Sequence, residues 1–127
     1  MDTVERLKVI LRLVYSQMHS GCVFHTKSET ASDAAYKELL EHIARELDQF
    51  TFEIRTEIRR AGETDHNISR LREPGNESEV EALQATLGSY EEAISSTANA
   101  HTRAMLKRQQ SELRQAYERL LASHRAA

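Results

Sequence analysis

The stretch Ala61-Gly62-Glu63-Thr64-Asp65-His66-Asn67-Ile68-Ser69-Arg70-Leu71-Arg72-Glu73-Pro74-Gly75-Asn76-Glu77-Ser78 decides the fold. It holds the chain's single proline and two of its four glycines. The full 127 residues are 39% hydrophobic and 29% charged, and little outside this stretch breaks a helix. Ala, Leu, Glu, Arg and Gln dominate, the residues that cost least in a helix interior. Collagen-like, disulfide-scaffold and all-β classes are excluded, and no apolar run is long enough to span a bilayer. A chain of this length buries roughly two-thirds of its unfolded surface, enough for one core without a metal or disulfide.

Upstream of this stretch, Tyr36, Leu40, Ile43, Leu47, Phe50, Ile54 and Ile58 recur every three or four residues, the stripe of an amphipathic helix. The helix spans about 33–61, with Ser32 or Asp33 as N-cap and Gly62 as its C-terminal stop. Arg59 and Arg60 complement the dipole in its last turn. A first helix is predicted over about 2–28, its stripe being Val4, Leu7, Leu11, Val14 and Met18. Downstream, Val80, Leu83, Leu87, Tyr90, Ile94 and Thr97 mark a helix over about 78–98, opened by Ser78 with Glu79 and Glu81 in its first turn. Leu106, Gln109, Leu113, Tyr117 and Leu120 mark the last, over about 102–123.

Four helices, each with one apolar face, predict a single all-α domain over 1–127, a four-helix bundle. The loop over 62–77 bears on topology. Sixteen residues reach on the order of 50 Å, whereas a helix of 22 residues is roughly 33 Å long. Hairpin connections in bundles need far fewer residues. A long connection between the second and third helices, returning along the bundle, is therefore expected.

The end of the second helix, Phe50-Thr51-Phe52-Glu53-Ile54-Arg55-Thr56-Glu57-Ile58-Arg59-Arg60-Ala61-Gly62, resembles the Phe-x-x-Glu-Leu-x-x-Glu-Ile-Arg-Arg-x-Gly pattern of a family of uncharacterised bacterial ferritin-like four-helix bundles. The resemblance implies a ferritin-like fold of unassigned function, with a stress response as the expected setting and no catalytic residues to carry over. His19-Ser20-Gly21-Cys22-Val23 stands before Phe24 where the family has an Asp-Gly and a Gly before the aromatic, and Tyr117 stands where a His is frequent. The chain reads as a divergent member.

The net charge of −3 hides an asymmetry: residues 1–28 carry +2, residues 29–100 carry −9 and residues 101–127 carry +4. The bases of the last helix are spread around it, so pairing with the acidic middle helices accounts for them and no nucleic-acid partner is expected. The lone Cys22 predicts a reduced, buried thiol. Acids and bases run through the first residues with no small-residue cleavage site, so a cytoplasmic address is expected.

Ferritin-like metal enzymes place Glu on two helices and Glu-x-x-His on the other two, all inward. The one Glu-x-x-His is Glu63-Thr64-Asp65-His66, in the loop. The expected mid-bundle layer of Val14, Met18, Leu47, Phe50, Leu87, Tyr90, Gln109 and Leu113 holds no carboxylate. No catalytic residue and no cofactor are therefore expected. The alternative is a metal-binding or metal-oxidising bundle with non-standard ligands for iron, manganese or zinc, drawn from His25, His101, His124, Glu29 and Glu38. Tyr90, Gln109 and Tyr117 put polar atoms on apolar faces and predict a buried hydrogen-bond network. Ser95, Ser96 and Thr97 near His101 read as a capping sequence.

On a helical wheel Val9, Leu13 and Phe24 fall on the back of the first helix, away from its stripe, and Phe52 on the back of the second. Together they predict an exposed apolar patch and a homodimer through these two helices. The expectation is a non-catalytic protein with a structural or interaction role, with no membrane or nucleic-acid partner.

Overall fold

The computed structural model describes residues 3–60 and 77–126, with side chains described at residues 6, 8–60 and 77–124. The predicted loop over 62–77 lies outside the described residues except for Glu77. Among the described residues four helices follow one another: α1 (Thr3–Thr30), α2 (Ala34–Arg60), α3 (Glu79–Ser96) and α4 (Ala100–Ala126). Among the described residues there is no strand, and no helix is long and apolar enough to cross a membrane.

Side chains set the helix starts. Asp33 opens α2, its Oδ2 accepting the Tyr36 amide at 2.9 Å, so the choice between Ser32 and Asp33 falls to Asp33. Ser78 opens α3 with a full capping box: its hydroxyl accepts the Glu81 amide at 3.1 Å and its own amide donates to the Glu81 carboxylate at 3.4 Å. Asn99 opens α4 by accepting the Thr102 amide at 3.1 Å. The end of α3 is closed by Thr97, whose carbonyl accepts the Arg103 guanidinium and whose hydroxyl donates back to Ala93. With Ser96 donating to the Glu92 carbonyl at 2.9 Å, these hydroxyls serve the helix end.

Contacts between side chains fix the directions. Along α1, Arg12 and Ser16 meet Glu92 and Thr86 of α3, and His19 meets Glu77 just before α3, in reverse order. Tyr36, Glu53 and Glu57 of α2 likewise meet His124, Gln109 and His101 of α4. α1 packs beside α2 and α3, and α4 beside α3 and α2, leaving α1–α4 and α2–α3 on the diagonals. Since α2 and α3 are both antiparallel to α1, they run parallel to each other. Arg60 and Glu79 therefore stand at opposite ends of the bundle.

The core is built on Leu40, Ile43, Leu47, Phe50, Ile54 and Ile58 of α2, Leu83, Tyr90 and Ala93 of α3, and Leu106, Leu113, Ala116 and Leu120 of α4. α1 departs from expectation. Its buried face is Val9, Leu13, Gln17, Ser20, Phe24 and Ser28, together with Val14, while Leu11 and Met18 are only half-buried. Val9, Leu13 and Phe24 are 3%, 0% and 0% exposed within one chain, so they are core residues and form no dimer patch. Three polar residues on the buried face disguised it, and α3 supplies hydrogen bonds that make the burial of Gln17 and Ser20 tolerable. Of the proposed patch, Phe52 alone is exposed, at 61%.

Candidate functional site

The middle of the bundle holds a chain of hydrogen bonds through all four helices. Tyr90 of α3 is fully buried; its hydroxyl accepts from Gln17 Nε2 of α1 and donates to Gln109 Oε1 of α4 at 2.8 Å. Gln109 Nε2 in turn donates to Glu53 Oε1 of α2 at 2.9 Å. Arg108 holds both Glu53 oxygens at 3.1 and 3.3 Å, and stands over the Phe50 ring with 6.0 Å to its centroid. Each amide faces the hydroxyl with the correct end, so the buried polar groups satisfy one another. Burial, with the nearby Glu53 charge, pushes the Tyr90 hydroxyl well above its ordinary range, and it stays a neutral donor.

One turn further along α1, Ser16, Ser20 and Thr86 form a second polar knot with α3. Ser20 and Thr86 hydroxyls lie 2.6 Å apart, Ser20 donates to the Ala82 carbonyl at 2.9 Å and Thr86 to the Ser16 carbonyl at 3.2 Å. The predicted network of Tyr90, Gln109 and Tyr117 is thus present in its first two members, extended by Gln17 and Glu53. Tyr117 is half-buried and outside the chain of bonds described. Sequence reasoning missed Gln17 because its helix face was assigned to the back of α1 and a dimer patch. A glutamine on a buried face opposite a buried Tyr is the signal that would have found it.

The second polar centre lies at the end of the bundle where α2 and α3 begin and α4 ends. Tyr36 donates its hydroxyl to Glu79 Oε1 at 2.8 Å, and His124 Nε2 lies 2.9 Å from that hydroxyl and 3.3 Å from the same carboxylate oxygen. The Tyr36 and His124 rings meet edge to face, 5.7 Å between centroids. The three groups line an open cleft of about 780 Å³ with Lys27, Asp33 and Ser123. Burial, and then the hydrogen bond and charge of Glu79, push the Tyr36 hydroxyl up. Burial alone would raise Glu79. Its own backbone amide, the Tyr36 hydroxyl and the charges of Lys27 and His124 outweigh that and hold it low.

The remaining sequence candidates are dispersed. His25 pairs with Asp48 at 3.0 Å, with both side chains more than half exposed. His101 is 3.6 Å from Glu57 at the opposite end from His124. Glu29 and Glu38 are exposed. Among the described residues no three His, Cys, Asp or Glu side chains converge as a metal group. The pair Glu63 and His66 lies outside the described residues, and Cys22 is half-buried rather than fully enclosed.

The α2–α4 seam is the loosest of the four and carries the bundle's strained carboxylate. Glu46 is 19% exposed, and burial raises its pKa, with Glu112 adding to the rise and His42 and Arg119 opposing it. Its Oε1 lies 3.1 Å from His42 Nε2, yet finds no aligned hydrogen-bond donor. A raised folded-state pKa means the folded chain binds this proton more tightly than the unfolded chain, so stability is lost as pH rises through the folded value. Glu79 has the opposite sign: its contribution is present above the unfolded carboxylate range and is lost as pH falls through its lowered value. Glu46→Gln is accordingly expected to raise the urea midpoint at pH 7 and leave it unchanged near pH 3. An equal shift at both pH values would show that the charge at Glu46 is not the cause.

Comparison with protein-family models, curated proteins and solved structures yields no match for this chain.

Proposed function

We propose that the protein is a non-catalytic, ferritin-like four-helix bundle with a structural or protein-interaction role, acting as a homodimer. The observation that carries this reading is the hydrogen-bond chain Gln17–Tyr90–Gln109–Glu53. It occupies the layer where ferritin-like oxidases hold their metals, and its amides and hydroxyl serve one another. A long connection from α2 to α3 fits the parallel directions of these helices, since sixteen residues reach on the order of 50 Å. Aerobic iron(II) added to the protein is expected to oxidise no faster than in buffer. Acceleration would replace this reading with that of a metal-oxidising bundle.

The dimer reading now rests on a different set of residues. Tyr15 and Phe52 are the exposed large apolar side chains among the described residues, at 42% and 61%. Thr51 meets Gln17 across the antiparallel α1–α2 pair, which sets Tyr15 and Phe52 at nearly one level, about 1.5 Å apart along the axis. Leu11, Tyr15, Met18 and Cys22 follow at spacings of four, three and four, and the first, third and fourth of these are half-buried. This second stripe on α1, together with Phe52 of α2, which also lines a cleft with Met105 and Arg108 of α4, is the surface proposed for self-association. Light scattering should give twice the 14.5 kDa chain mass, and Phe52→Glu should return it to one chain. A dimer mass unaffected by that change removes the α1–α2 surface from consideration.

A further inference from the structure

We propose that Tyr36 Oη, Glu79 Oε1 and His124 Nε2 form a binding site for a divalent transition-metal cation that ties α2, α3 and α4 together at one end of the bundle. This goes beyond the structural reading above and does not depend on the dimer. The geometry is the first argument. The three donor atoms form a triangle with edges of 2.8, 2.9 and 3.3 Å. A cation holding nitrogen and oxygen ligands at about 2.1 Å keeps neighbouring octahedral ligands about 3.0 Å apart. The triangle therefore already has the dimensions of one face of an octahedron. A cation above it completes its shell with water from the cleft, which is open on that side.

The triangle is held from three directions. Tyr36 sits in the first turn of α2, Glu79 is the first residue of α3, and His124 lies in the last turn of α4. Glu79 is 8% exposed, so little side-chain freedom remains to be lost on binding. Charge selects the valence. The Glu79 carboxylate and a Tyr36 phenolate together neutralise a dication, while Lys27 and Asp33, the other charged groups lining the cleft, offset each other. One imidazole and two oxygens favour transition ions over calcium, which takes oxygen ligands, and the usual order of stabilities puts copper(II) first.

Binding redistributes two protons. In the metal-free protein Tyr36 donates to Glu79, and His124 presents Nε2–H to the tyrosine oxygen. The cation takes the Nε2 lone pair, so the imidazole proton moves to Nδ1, and the phenol proton leaves to solvent. Release of the phenol proton on binding makes affinity rise with pH.

The test is a copper(II) titration of the full chain, followed by visible absorption and by electron paramagnetic resonance, in the wild type, Tyr36→Phe and His124→Gln. The wild type should bind copper with a phenolate-to-copper charge-transfer band. Tyr36→Phe, which keeps the ring against His124, should lose the band, and His124→Gln should weaken the band-producing binding about tenfold or more. Copper held only by exposed histidines such as His25 or His101 has no phenolate partner and gives no such band. A wild type without the band, a band that survives Tyr36→Phe, or an affinity unchanged by His124→Gln each overturns the proposal.

Discussion

Phe24→Ala is expected to lower the free energy of unfolding by about 3–5 kcal/mol, the range for deleting a fully enclosed aromatic ring. The side chain is 0% exposed and belongs to the hydrophobic core cluster, on the same α1 face as Leu13 and Gln17. Truncation removes the ring's transfer free energy and leaves a cavity between helices whose backbones are held by neighbours on both sides. The measurement also separates a core role from an interface role. A core residue shifts the urea midpoint by the same amount at every protein concentration and leaves the mass in solution unchanged. A loss that fades at high concentration, or a fall in mass without a loss of stability, would return Phe24 to an interface between chains.

Tyr90→Phe carries the second large effect, about 2–4 kcal/mol, although it deletes one oxygen and no carbon. The ring still fills its place, so the loss reports hydrogen bonding rather than packing. Gln17 Nε2 loses its acceptor and Gln109 Oε1 its donor, and each buried group left unpaired costs about 1–3 kcal/mol. Adding Gln17→Leu to Tyr90→Phe should recover part of the loss, since it removes one orphaned group and the two residues share a bond. Denaturant unfolding of the two single variants and the double variant measures this. Additive losses would show that Gln17 finds another partner, such as Thr51, whose hydroxyl lies 3.5 Å from Gln17 Oε1.

These variants probe the place where sequence reading and structure part. The stripe of α2 was legible because all its buried positions except Thr51 are apolar, and Thr51 bonds back to the Leu47 carbonyl of its own helix at 2.7 Å. α1 carries two stripes of similar apolar content, and periodicity alone cannot rank them. The wrong one was favoured because Gln17, Ser20 and Ser28 interrupt the other. Polarity predicts exposure only when no partner is available. Tyr90 and Thr86 meet Gln17 and Ser20 across 73 and 66 residues of sequence, a pairing that no local pattern records.

The end site was hidden for the same reason. Its three members come from three helices, with 43 residues between Tyr36 and Glu79 and 88 between Tyr36 and His124. His124 was among the metal candidates read from the sequence, but its companions were not. Glu29 and Glu38 were the acids expected near it, and Glu79 is the one that bonds.

The sequence by itself determined four helices, the Ser78 cap of α3, and the inward faces of α2 and most of α4, because these depend on neighbours within one or two turns. The tertiary structure decided which face of α1 is buried, which polar groups are satisfied in the middle of the bundle, and which acid meets His124. Each of these depends on how helices distant in sequence are ordered and directed around the bundle. A hydrogen bond or a donor triangle exists only once that order has brought its atoms within about 3 Å.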